Sequence, residues 1–114
     1  LSEYVRQHNL KLVVVILPTI YQVYRSAWNQ YVTSFRIDPS LYDLDKPQKL
    51  LREFCAQHEI ECVDVLSEMR LAGKENPLFY QIDSHMNPQG HRVVAHALCT
   101  YLAANSMSGT GGAE

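Results

Sequence analysis

The sequence predicts an α/β fold built on a parallel sheet, and two observations carry this. The run Leu12-Val13-Val14-Val15-Ile16-Leu17 is continuous, β-branched and free of alternation. That is the pattern of a central parallel strand covered on both faces. A second apolar run, Ile60 to Leu66, follows two helical stretches. A strand–helix–helix–strand order implies two parallel strands joined by a right-handed crossover.

The elements follow in order. Ser2 to Asn9 fits the end of a helix, with Tyr4 and Val5 facing inward, His8 a solvated cap residue and Asn9 the stop. The strand Leu10–Leu17 ends at Pro18. Residues beyond such a strand line the ligand crevice of α/β proteins, which makes Pro18, Thr19 and Tyr21 candidates for a pocket rim, with plain loop roles as the alternative. Tyr21, Tyr24, Trp28, Tyr31 and Phe35 recur at spacings of three, four, three and four, a helical stripe. The preferred reading is a face packed on the core; sugar stacking is the alternative.

Asp38-Pro39-Ser40 signals a turn, and Asp43, Asp45 and Pro47 prepare a helix start. These aspartates lack the glycine turn and closing glutamate of a calcium loop, so capping and solvation explain them better. Gln48 to His58 is amphipathic, with Leu50, Leu51, Phe54, Cys55 and His58 on the inward face. In the second strand Cys62, Val63 and Val65 form core, while Asp64 suits a surface position or a partner for a local backbone group. Ser67 then caps a short helix stopped at Gly73. The last helix runs from Pro88 to about Asn105, with His91, Val94, Ala95, Leu98 and Leu102 inward and His96 solvated. Residues 106–114, glycine-rich, read as a flexible tail, leaving 1–105 as the folded unit.

Composition narrows the function. The net charge is −2 with no basic cluster, which gives nucleic-acid binding no electrostatic support. No apolar run approaches membrane-spanning length. Cys55, Cys62 and Cys99 have no Cys-x-x-Cys spacing and suit small buried hydrophobes.

The chemistry concentrates in Ile82-Asp83-Ser84-His85-Met86-Asn87-Pro88-Gln89-Gly90-His91. A carboxylate two residues before an imidazole, just outside a helix start, suits acid–base work: the carboxylate fixes the histidine tautomer while the histidine moves a proton. A metal set of Asp83, His85 and His91 ranks lower, because nothing fixes its spacing. Ser84 is a poor nucleophile candidate, since neighbours in an extended loop point apart.

This block, continued through Arg92-Val93-Val94-Ala95, resembles the C-terminal catalytic block of the SGNH/GDSL hydrolases, in the branch with Asp-x-His. Met86 stands where relatives of that branch often carry Trp. The resemblance implies that Asp83 is the acid and His85 the base of a serine triad acting on acyl or acetyl esters, some on carbohydrate. It implies a flavodoxin-like three-layer α/β/α fold, no cofactor or metal, and an extracytoplasmic or membrane-anchored parent protein. The family's Gly-Asp-Ser block occurs nowhere in the chain, and its oxyanion-hole blocks cannot be placed. The chain is therefore expected to be the C-terminal part of a longer hydrolase, lacking N-terminal strands, inactive alone and able to self-associate through an open sheet edge. The rival expectation is a non-catalytic domain binding carbohydrate or protein.

Overall fold

The computed structural model describes residues 1–110, with side chains to Asn105. Helix α1 (Ser2–Gln7) leads to strand β1 (Val13–Ile16). Helices α2 (Ile20–Val23), α3 (Arg25–Phe35) and α4 (Lys46–Gln57) cross to strand β2 (Glu61–Asp64). Helices α5 (Leu66–Ala72) and α6 (Pro88–Thr110) complete the order.

The strands pair in parallel, from Val13 opposite Glu61 to Ile16 opposite Asp64. Alternation along each strand sorts the side chains into two faces. Val13, Val15 and Val63 turn towards α5 and α6, where they join Val65, Met69, Leu78 and Phe79 in the core. The opposite face meets α4, whose buried Cys55 sits beside Cys62, while Arg52 reaches Asp64 at 3.5 Å. The result is an α/β/α arrangement around two strands. The continuous β-branched run thus has helices on both faces, as expected. Its Val13, Val14 and Val15 stay only half-buried, because the sheet is two strands wide among the described residues.

That narrow sheet explains most departures from the expected faces. On α4 the buried residues are Gln48 and Cys55, whereas Leu50, Leu51 and Phe54 are exposed. On α1, Tyr4 is exposed and stacks on His8 with ring centroids 4.0 Å apart. On α6 the line packed on the core is Val93, Val94, Ala97, Leu98 and Tyr101. His91, Ala95, Cys99 and Leu102, expected inward, are exposed. Gly90 is buried against the Leu78 backbone. His91, one residue and about 100° further round the helix, must therefore face away.

The single helix expected over Tyr21–Phe35 breaks at Tyr24, which is extended at φ −113° and ψ 111°. Arg70 Nε donates to the Gln22 carbonyl at 2.8 Å, occupying an acceptor that a continuous helix would use internally. Gln22 is itself buried and hydrogen-bonded to Gln48 and to the Leu44 carbonyl. The break lets Tyr24 reach the core while the rest of the aromatic stripe stays outside it. Helix α3 has no buried residue, so the core reading holds for Tyr24 alone.

Local capping matches the sequence better. Asp38 accepts from the Ser40 backbone at 3.0 Å, and Asp43 from the Asp45 backbone at 2.9 Å. Asp45 is the N-cap of α4 and pairs with Arg70 at 2.7 Å. Asp64 accepts from the Leu66 backbone at 3.1 Å, the local backbone role expected of it. Gly73 ends α5 as expected; Val65 rather than Ser67 is the cap at its start. Helix α6 continues to Thr110, and 111–114, the remainder of the expected tail, lie outside the described residues.

Candidate active site

The candidate site is a hairpin held against the start of α6. Leu78 and Phe79 are buried, and Phe79 forms an isolated antiparallel bridge with Met86. Tyr80 N donates to the His85 carbonyl at 2.8 Å, and Asn87 N to the Leu78 carbonyl at 3.0 Å. The loop between them projects the polar residues outward. Ser84 turns the chain in the left-handed region at φ 61°.

Three residues seat this hairpin, and none was assigned a site role from the sequence. Asn87 accepts from Gly90 N at 3.0 Å, which makes it the side-chain cap of α6, with Pro88 in the first helical position. Its amide also donates to the Pro77 carbonyl at 2.9 Å. Gly90 is required by contact: a Cβ there would collide with the Leu78 carbonyl oxygen. Tyr24 anchors the entry strand, its hydroxyl donating to the Asn76 carbonyl at 2.9 Å and accepting from Leu78 N at 3.1 Å. The Asn-Pro-x-Gly spacing carried the signal for the first two. Nothing local to Tyr24 announced its bond across 54 residues.

Asp83 and His85 come together. Asp83 Oδ1 accepts from the His85 backbone N at 3.1 Å, and Oδ2 lies 3.3 Å from His85 Nδ1. The His85 amide, then its ring, hold the Asp83 carboxyl below the ordinary carboxylate range. The carboxylate is thus anchored by backbone and turned to one ring nitrogen, while Nε2 has no hydrogen-bond partner among the described residues. The side chains are 57% and 81% exposed for Asp83 and His85. An imidazole with Nδ1 against a carboxylate and Nε2 open can accept a proton at Nε2.

The remaining candidates separate. No hydrogen bond joins Ser84 to His85 among the described residues. His91 is exposed on α6, and among the described residues no three histidine, cysteine or acidic side chains come together to hold a metal. Pro18 is buried and Thr19 exposed, while Tyr21 lines a surface groove. Cys55 is buried, Cys62 half-buried and Cys99 exposed. Among the described residues no helix is long and apolar enough to cross a membrane.

Comparison with known proteins places this chain in a family. No curated protein and no solved structure matches the chain. One family model does, and it matches residues 1–114, the whole chain; it is described as SGNH hydrolase-like domain, acetyltransferase AlgX. The α/β/α layering and the parallel strand pair agree with that match. The chain belongs to the family of SGNH hydrolase-like domains typified by acetyltransferase AlgX.

Proposed function

We propose that this chain supplies the acid and base of a serine-dependent acyl transfer, with Asp83 orienting His85. The observation that carries the reading is the two-point hold of the Asp83 carboxylate on His85, at its backbone N and at Nδ1. The 3.3 Å separation at the ring is longer than a formed N–H···O bond, as is common before a substrate loads.

In this reading the nucleophilic serine comes from outside these 114 residues, since Gly-Asp-Ser is absent from them. His85 Nε2 takes the serine proton as the hydroxyl oxygen attacks the ester carbonyl. Asp83 stabilises the imidazolium at Nδ1. The tetrahedral intermediate expels the alcohol, which receives the proton from Nε2, leaving an acyl-enzyme. Water or a sugar hydroxyl then attacks that acyl group by the same proton route in reverse. The family description, an acetyltransferase, favours an acetyl or other short acyl group passed to or from a carbohydrate hydroxyl.

The test is p-nitrophenyl acetate hydrolysis by the full-length protein beside its His85→Ala variant. Loss of a proton-transfer group lowers the rate by roughly 10²- to 10⁴-fold. An unchanged rate in His85→Ala removes His85 from the mechanism. The 114-residue chain alone is expected to show no turnover in the same assay.

A further inference from the structure

The thiols of Cys55 and Cys62 meet between α4 and β2. Cys55 is buried on the helix, Cys62 is half-buried on the strand, and a side-chain hydrogen bond joins the two. Both are free thiols.

The backbone fixes this meeting from both sides. Helix α4 ends in a Schellman turn: Glu59 N donates to the Ala56 carbonyl at 3.3 Å, and Ile60 N to the Cys55 carbonyl at 2.8 Å. Glu59 supplies the left-handed residue of that turn, at φ 55°. The chain therefore leaves the helix through a hydrogen bond on Cys55 itself and enters β2 at Glu61, the next residue. The parallel register, with Cys62 opposite Val14, holds the strand end of the pair. Thiols placed in this way need little movement to reach a sulfur–sulfur bond of about 2 Å.

The packing of α4 leaves a role for a covalent tie. Its buried residues are Gln48, which is bonded to Gln22, and Cys55. Leu50, Leu51 and Phe54 are exposed. The one apolar side chain that α4 buries is thus a small thiol. Burial, and then the neighbouring Cys55 thiol, push the Cys62 thiol up to about 11. A thiol that ionises so poorly is a slow leaving group, so a disulfide formed on it resists reduction.

We infer that Cys55 and Cys62 close into a structural disulfide when the chain folds with a small-molecule disulfide donor such as glutathione disulfide, tying the last turn of α4 to β2. The Cys62 thiolate attacks one sulfur of the donor, whose disulfide bond breaks, and the first glutathione leaves. The Cys55 thiolate then attacks the Cys62 sulfur of the mixed disulfide and expels the second glutathione. The two protein thiols give up two electrons, and both of their protons end on the two glutathione thiols. The exchange belongs to the folding chain, before burial withdraws the reactive thiolate. Folded under a reductant, the protein keeps both thiols free.

The experiment refolds the full-length protein from urea in excess glutathione disulfide, traps free thiols with iodoacetamide and digests with trypsin without reduction. Cleavage after Arg52 and Arg70 leaves both cysteines in one peptide, residues 53–70. That peptide is expected to lack two hydrogen atoms and to carry no alkyl group. The oxidised protein is expected to unfold at higher urea than the protein treated with dithiothreitol. In Cys55→Ala and in Cys62→Ala the remaining cysteine is alkylated or carries glutathione, and the gap between the two midpoints narrows. Cys99→Ser, on α6, leaves the peptide oxidised. Circular dichroism confirms that each variant is folded. The proposal is overturned if the wild-type peptide carries two alkyl or glutathione groups, or if either cysteine pairs with Cys99 or another cysteine instead. A midpoint gap in both alanine variants equal to that of the wild type also overturns it.

Discussion

Gly90 and the carbonyl of Leu78 occupy adjoining space so closely that no side chain fits between them. This contact sets the hairpin carrying Asp83 and His85 onto the first turn of α6. Gly90→Ala must therefore push α6 away from the hairpin or distort Leu78. The expected cost is about 1–3 kcal/mol of stability, the range for overpacking a buried position. Urea unfolding measures it, and a wild-type midpoint in the variant would show that the contact relaxes freely.

Tyr24→Phe removes a hydroxyl that serves both the Asn76 carbonyl and Leu78 N. The Leu78 amide, in a buried residue, then has no partner. A stability loss of about 1–3 kcal/mol is expected. Hydrogen exchange should localise the effect, with faster exchange at Leu78 and Phe79 and little change in β1.

The Asp83 carboxyl titrates below its ordinary value, about 3.9, because the His85 amide and ring favour the charged form. A depressed folded value contributes stability that is present above the unfolded value and lost as pH falls through the folded one. The hairpin is therefore expected to hold its geometry through mildly acidic pH and to loosen only below the ordinary carboxylate range. Carbon-detected NMR titration of the Asp83 carboxyl checks this. A midpoint above about 4 would mean that the backbone hold on Asp83 is not formed in solution.

The cysteines should differ sharply in reactivity. Cys99 is exposed on α6, Cys55 is buried, and Cys62 is pushed up to about 11 by burial and by the neighbouring Cys55 thiol. The thiolate is the reacting form, so at pH 8 Cys62 presents little of it. Iodoacetamide labelling followed by mass spectrometry is expected to modify Cys99 first and to reach Cys55 and Cys62 only on unfolding. Early labelling of Cys62 would show that the α4 face of the sheet opens.

Much of this protein was legible in one dimension because its signals are local. The continuous β-branched run fixed β1, the strand–helix–helix–strand order fixed the parallel pairing, and Asp-x-His placed a carboxylate beside an imidazole within reach of a single turn. Turn and cap chemistry at Asp38, Asp43 and Asp64 also acts within two residues, so residue type alone announced it.

Only the tertiary structure decided which faces are buried. A helical stripe shows that apolar side chains share a side, and it cannot show how wide a sheet that side meets. Here Cys55 of α4 packs beside Cys62 of β2 and Gln48 is buried against Gln22, while Leu50 and Phe54 stay outside. The turn of His91 away from the core follows from a backbone contact at Gly90, and the break at Tyr24 from the hold of Arg70 on Gln22, 48 residues away. Such long-range steric and hydrogen-bond constraints leave no periodic trace in the chain. They bring Tyr24 to the core and leave the rest of the Tyr21–Phe35 aromatic stripe outside it.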